Sequence, residues 1–183
     1  MDDPATTDPL TDLADVRTIL AQLTQAGAKA ESQVQPVSVI LLDVDRLKEY
    51  NDRRGHAAGD KVLVRIAGIL AANVRSAPRG DRLGRVGGDE FLVILENKDG
   101  ADALAAAERL RACIEAAAWP EQAMTVSIGV ATWNPGLAAS ATNATSAATL
   151  LLWEVERALH QAKVLGNAVR HARDLGPDAR AGQ

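Results

Sequence analysis

The 183-residue chain has a single cysteine, Cys113, so no disulfide can staple it internally. A lone thiol within a helical pattern fits a reducing compartment or a small core residue. No apolar signal core follows the acidic start Met1-Asp2-Asp3-Pro4, and the strongest apolar runs, such as Val37 to Leu42, are far too short to cross a bilayer. Lysines and arginines form no stripe, and the net charge is −4, which argues against duplex nucleic acid or an anionic membrane as main partner. Internal repeats are absent as well. What remains is a soluble, cytoplasmic chain of about one domain with enough length for a real core. A polyanionic small molecule stays within reach, because a metal ion supplies positive charge that side chains do not.

Residues 1–7 carry no apolar period and are expected to fray, as is the tail over 174–183. From Thr11 onward Leu13, Val16, Leu20 and Leu23 recur at helical steps, with Asp8 or Thr11 as start signals, and 27–35 reads as a connector. The run Val37-Ser38-Val39-Ile40-Leu41-Leu42 is a strand buried on both faces. It stops at Asp43-Val44-Asp45, where a carboxylate is costly to hold alone. Either Arg46 or Lys48 pairs with it, or a metal binds at the strand's carboxyl end. Asn51-Asp52 is a turn signal, and His56 reads as a loop residue. Asp60, ahead of Val62, Leu63, Ile66, Ile69, Leu70 and Val74, takes the place of an N-cap on an amphipathic helix. Next come a hairpin over 81–95, a helix carrying Ala103, Leu104, Ala107, Leu110, Ile114 and Ala117, and a strand from Met124 to Ala131. A Ser/Thr/Ala/Gly/Pro loop over 134–147 precedes a last helix from Leu150 to Leu165, closed by Gly166-Asn167, and a short strand starts at Val169. Strands alternating with helices imply an α/β or α+β sheet with helices on its faces.

Within the hairpin, two glycines are followed by two carboxylates and then by an apolar run. Gly87-Gly88 suits a two-residue turn with positive φ, and its missing side chains let a ligand approach the backbone. Asp89 and Glu90 then stand as hard oxygen ligands or general bases, the plain alternative being a solvated acidic hairpin. If the strand ending at Asp43 is a sheet neighbour, the carboxylates face each other across a cation, with Lys48 and Lys163 available to phosphates. Spacing alone therefore reaches a metal-dependent nucleotide site.

Several motifs in one order sharpen this. Asp8-Pro9-Leu10-Thr11, Asp43 through Asp52, Gly55-His56, Gly59-Asp60, Gly87-Gly88-Asp89-Glu90-Phe91, Thr125 through Ala131 and Ala158 through Lys163 with Gly166 together resemble the GGDEF family of bacterial diguanylate cyclases, over about residues 8–173. The resemblance implies a palm-like fold related to nucleotidyl cyclases, with a central, mostly antiparallel five-stranded sheet flanked by helices. It implies condensation of two GTP into cyclic di-GMP, with two pyrophosphates released, at the interface of a transient antiparallel homodimer. By matching positions, Asp43, the Val44 carbonyl and Asp89, supported by Glu90, would hold Mg²⁺ or Mn²⁺. Asp89 would help deprotonate the attacking 3′-hydroxyl. Asn51 and Asp60 would read the guanine edge, with His56 near the nucleoside and Gly87 and Gly88 giving clearance. Lys48, Lys163 and the backbone at Arg46 and Leu47 would hold phosphates, Lys48 stabilising transition-state charge.

Three positions depart from the family pattern. Leu47 replaces a frequent aromatic, and Asn167 stands where a phosphate-contacting arginine is usual. The product-binding Arg-x-x-Asp motif is displaced, with Pro78-Arg79-Gly80-Asp81 carrying its arginine one residue late, so feedback inhibition through Arg79 and Asp81 is expected to be weak or absent. No sensory or dimerising domain is recognisable, so activity is expected to depend on concentration and to be low for the isolated domain. The alternative function is a catalytically weak module that binds GTP or cyclic di-GMP.

Overall fold

A computed structural model describes residues 6–74, 81–135 and 146–175. Its centre is β1 (Val37–Val44), every residue of which is buried, as its nearly unbroken apolar sequence requires. On one side β1 pairs antiparallel with β3 (Glu90–Glu96), which pairs in turn with the short edge strand β2 (Arg82–Arg85). On the other side it pairs antiparallel with β4 (Val126–Trp133), whose outer edge takes the parallel strand β5 (Val169–His171). The sheet order is β2-β3-β1-β4-β5.

Side chains alternate across this sheet and divide the core in two. Ile40, Leu42, Phe91, Val93, Val126 and Ile128 face α3 (His56–Asn73) and α4 (Gly100–Glu115), with α2 (Leu47–Arg54) at the margin. Val39, Leu41, Leu92, Ile94 and Ala131 face α1 (Val16–Gln33) and α5 (Ala147–Leu165). Each fully buried Leu, Ile or Phe contributes roughly 1.5–3 kcal/mol, and both faces hold several. Buried Ser38 and His171 are joined through half-buried Thr132 near the start of β1: Ser38 Oγ lies 2.8 Å from Thr132 Oγ1, which lies 3.2 Å from His171 Nε2. Burial holds the His171 pKa down.

Several expected boundaries shift. The first helix begins at Val16, not near Thr11, because Asp15 caps it by accepting from Thr18 N. Residues 8–13 fold instead into a turn around the Asp8 carboxylate, which accepts from Thr11 N and Oγ1. Thr6 and Thr7, placed in the frayed segment, are tied to this turn: the Thr6 carbonyl accepts from Asp15 N, and Thr7 bridges Ala14. The connector expected over 27–35 is mostly helix. Gly27 is buried there because a Cβ would come within 3.1 Å of Ala148 N, so the glycine serves helix packing and breaks nothing. Asn51-Asp52 lies inside α2 rather than in a turn. The last helix starts at Ala147, capped by Ser146. Of the loop expected over 134–147, residues 136–145 lie outside the described residues, as do 1–5 and 176–183 of the two termini.

Candidate active site

β1 carries Asp43 on its α1/α5 face, and the register sets Asp43 opposite Glu90 of β3. Beyond that pair, Val44 N donates to the Asp89 carbonyl at 3.1 Å. The sheet thus brings Asp43, Val44, Asp89 and Glu90 to one end. Asp43 is only 4 % exposed, and its partner is neither Arg46 nor Lys48: Lys163 Nζ, from the last turn of α5, lies 2.6 Å from Asp43 Oδ2. Burial pushes the Asp43 carboxyl up to about 6, the Lys163 bond opposing this and the charges of Asp89 and Glu90 adding to it. Burial works against the Lys163 ammonium, but Asp43 outweighs it and the lysine pKa rises.

The glycine turn differs from the expected two-residue form. Four residues, 86–89, link β2 to β3, and neither Gly87 nor Gly88 has positive φ. Val86 N and Gly87 N both approach the Glu90 carbonyl, at 3.0 and 3.4 Å. Their glycine character serves space. A Cβ on Gly87 would lie 2.7 Å from Glu90 Oε2, so the carboxylate folds over it, while Gly88 faces open space. Arg85 braces the loop from behind, donating to the Gly88 carbonyl at 2.7 Å and to both oxygens of Asp8 at 3.0 and 3.2 Å. The N-terminal turn and the glycine loop are therefore one unit, a link without any local signal in the chain.

Beyond β1, Arg46 adopts a left-handed conformation (φ 56) and leads directly into α2, whose first turn has no side-chain cap. Such a helix start presents unpaired N–H groups and the positive end of the helix dipole, a ready anion site. Leu47 is buried beneath it, whereas Arg46 and Lys48 are exposed. Asn51 lies one turn on. Its Oδ1 is buried without a hydrogen-bond partner and packs on Gly59, where a Cβ would come within 1.9 Å. Asp60 follows Gly59 but is not the N-cap: α3 begins at His56, with Gly55 before it, and Asp60 is exposed inside the helix. His56 is the exposed first residue of that helix. A cleft of about 620 Å³ opens beside Asp60, with Leu10, Tyr50, Ala58, Val64 and Trp119 on its walls.

Asp45 was not singled out by sequence, yet it organises the same end of the sheet. It accepts from Thr125 Oγ1 and Ser127 Oγ at 2.7 Å each and from Asn167 N at 2.9 Å. Asn167, at φ 46, turns its amide toward α4, accepting from Arg111 at 2.9 Å and donating to Glu115 at 2.7 Å. Asp81 lies on a separate cleft of about 190 Å³ with Asn73, Lys98, Asp102 and Arg109, while Arg79 lies outside the described residues.

Among the described residues, no three His, Cys, Asp or Glu side chains are grouped closely enough to hold a metal unaided. The side chains at this end of the sheet, Asp43, Asp89 and Glu90, are carboxylates, the hard oxygen donors that a hard divalent cation takes. Burial raises the Asp43 pKa first, and the neighbouring charges of Asp89 and Glu90 add to it.

Residues 5–168 match the family model for "Diguanylate cyclase, GGDEF domain". The chain is 36 % identical over 132 residues to diguanylate cyclase DosC of Escherichia coli K12, covering 69 % of this chain and 28 % of DosC. It is 36 % identical over 170 residues to the response regulator PleD of Caulobacter vibrioides, covering 90 % of this chain and 36 % of PleD. It thus spans about a third of the length of these relatives. Among solved structures, the GGDEF domain of DgcB from Caulobacter crescentus in complex with c-di-GMP superposes with a TM-score of 0.83 at 28 % identity, covering 94 % of this chain and 99 % of that one. The diguanylate cyclase SiaD of Pseudomonas aeruginosa, in complex with its activator SiaC, gives 0.80 at 28 % identity, covering 91 % and 62 %. The sheet order and the helices on both faces are those of an α+β, palm-like fold, and this chain belongs to the GGDEF family of diguanylate cyclases.

Proposed function

We propose that this chain condenses two GTP into cyclic di-GMP, with Mg²⁺ or Mn²⁺, between two copies arranged antiparallel. The observation that carries this is the β1/β3 register, which gathers Asp43, the Val44 backbone, Asp89 and Glu90 beside Lys163. Asp43, the Val44 carbonyl and Asp89, with Glu90 in support, would hold the metal, which when bound neutralises phosphate charge and polarises the reacting phosphorus. Asp89 takes the proton from the ribose 3′-hydroxyl of one GTP. The 3′-oxygen forms a bond to the α-phosphorus of the other GTP, and the bond from that phosphorus to the bridging oxygen breaks, releasing pyrophosphate. A second, reciprocal transfer closes the ring. The uncapped start of α2, with Arg46 and Leu47 in its backbone, receives phosphate oxygens, and Lys48 and Lys163 add charge. Most of the catalysis is positioning and electrostatics, which a preformed sheet end suits.

Guanine selection is assigned to Asn51 and Asp60. The unsatisfied Asn51 Oδ1 accepts a base N–H, and Asp60 accepts from guanine N1 and N2, donors that adenine does not offer at those positions. His56 lies beside the nucleoside. One observation favours the second reading, a weakly catalytic binding module. Asn167 spends its side chain on Arg111 and Glu115, so the turn after α5 presents no cation to phosphates. Incubating concentrated protein with GTP and Mg²⁺ and separating the products by chromatography tests the proposal, with Asp89→Ala as control. Cyclic di-GMP formed only by the unmutated chain supports it, whereas GTP binding without product selects the binding module.

A further inference from the structure

At Asp43 a rigid anion meets a movable cation. The carboxylate belongs to the central, fully buried strand and is 4 % exposed. The Lys163 side chain is 45 % exposed and reaches Asp43 Oδ2 from the last turn of α5 on a flexible four-carbon stem. Its ammonium covers an oxygen that a metal held at Asp43 would need. Both cations answer the same excess of negative charge from Asp43, Asp89 and Glu90.

We infer that Lys163 is a displaceable counter-ion for Asp43, so that metal and nucleotide bind cooperatively through this one side chain. The inference rests on the metal-dependent reading proposed above. A divalent ion arriving alone has to compete with the ammonium and leaves it without a partner. A nucleotide brings phosphate oxygens that accept the ammonium, which frees the carboxylate for the ion. By linkage, the gain that nucleotide gives to metal affinity equals the gain that metal gives to nucleotide affinity. Lys163 is thus a coupling element as well as a phosphate contact.

The test is Mn²⁺ binding to the purified chain in the absence of nucleotide, followed by the free-ion paramagnetic resonance signal at pH 8. Lys163→Met should bind Mn²⁺ roughly tenfold more tightly than the unmutated chain, as expected when one like charge leaves the first surroundings of the ion. Lys163→Arg, which keeps the charge, should retain the unmutated affinity, and the double variant Lys163→Met/Asp43→Asn should lose the gain. Equal affinity in Lys163→Met and the unmutated chain would overturn the inference, as would a gain that survives Asp43→Asn. If GTP with Mn²⁺ still yields product in those cases, the metal-dependent reading stands without it. If no Mn²⁺ binds to any of these proteins with or without GTP, the reading itself fails and takes the inference with it.

Discussion

Replacing Asp43 by Asn should stabilise the fold while removing metal binding. The Asp43 pKa moves from an ordinary 3.8 to about 6 on folding, a shift worth about 3 kcal/mol against the ionised form. Below 3.8 the carboxyl is protonated whether folded or not, and no penalty exists. Between 3.8 and about 6 the unfolded chain releases its proton first, so stability falls as pH rises. Above about 6 both states are ionised and the full penalty is present. Asn avoids it, and losing the Lys163 bond is already counted in that value, while the half-exposed ammonium rehydrates. A net gain of about 1–3 kcal/mol at pH 7.5 corresponds to a rise in Tm of roughly 3–8 °C for a domain of this size. The assay is thermal unfolding in EDTA at pH 7.5 and pH 4.5, comparing variant with parent. The difference should shrink to about a third at pH 4.5, where most of the parent's Asp43 is already protonated. His171, with its lowered pKa, contributes the opposite slope, its stability being lost as pH falls below about 6.5, but that contribution is common to both proteins and cancels. A variant less stable than its parent at pH 7.5, or a gain that does not change with pH, refutes the reasoning.

Gly129→Ala should cost about 2–4 kcal/mol, read as a lowered midpoint in urea, because its Cβ would lie 2.3 Å from the Val155 carbonyl oxygen and 2.4 Å from Leu159 N, both backbone atoms of α5. Gly59→Ala is different in kind: its Cβ meets the Asn51 side chain, which can swing away, and alanine gains helix propensity of about 1 kcal/mol. Stability should change little while GTP affinity by calorimetry falls about tenfold or more, and unchanged GTP affinity would remove Asn51 from the base site. Asp81→Ala should leave the response of GTP turnover to added cyclic di-GMP unchanged, and strong inhibition abolished by that variant would show that the cleft holding Asp81, Lys98 and Arg109 is a working product site.

What could be read from the chain was whatever has a local cause. β1 was legible because eight consecutive buried positions leave an apolar run that only a central strand uses, and the carboxylate ending it announced an unmet charge. The helices were legible through their apolar period, but their ends were not wherever a second explanation fits the same residue. Asp60 before an apolar run has the form of a cap, yet Ala57 and Ala58 let the helix start a turn earlier at His56. Gly27 has the form of a break, yet it is the close-approach residue between α1 and α5. For Asp43 local sequence offers only Arg46 or Lys48 as side-chain partners, with a metal as the alternative, and the partner is Lys163 because the antiparallel pairing of β4 and the return of α5 carry a distant helix end back to it. Asp45 and Arg85 gave no warning, since their partners lie on other elements.

The reach of Lys163 is set by how closely α5 lies on the sheet. Gly129 pairs with Leu41 of β1 in register, two residues before Asp43. Over Gly129 the helix backbone itself, at Val155 and Leu159, sits where any side chain would stand. Lys163 follows Leu159 by one helical turn, about 6 Å along the axis, and two residues of strand cover about 7 Å. Helix and strand therefore advance together from the glycine contact, and the ammonium arrives over Asp43 because both started from the same point. A bulkier residue at 129 would lift α5 and withdraw the lysine together with it. The glycine is thus a requirement of the candidate site as much as of the core, and a larger side chain there should weaken metal–nucleotide coupling as well as the fold.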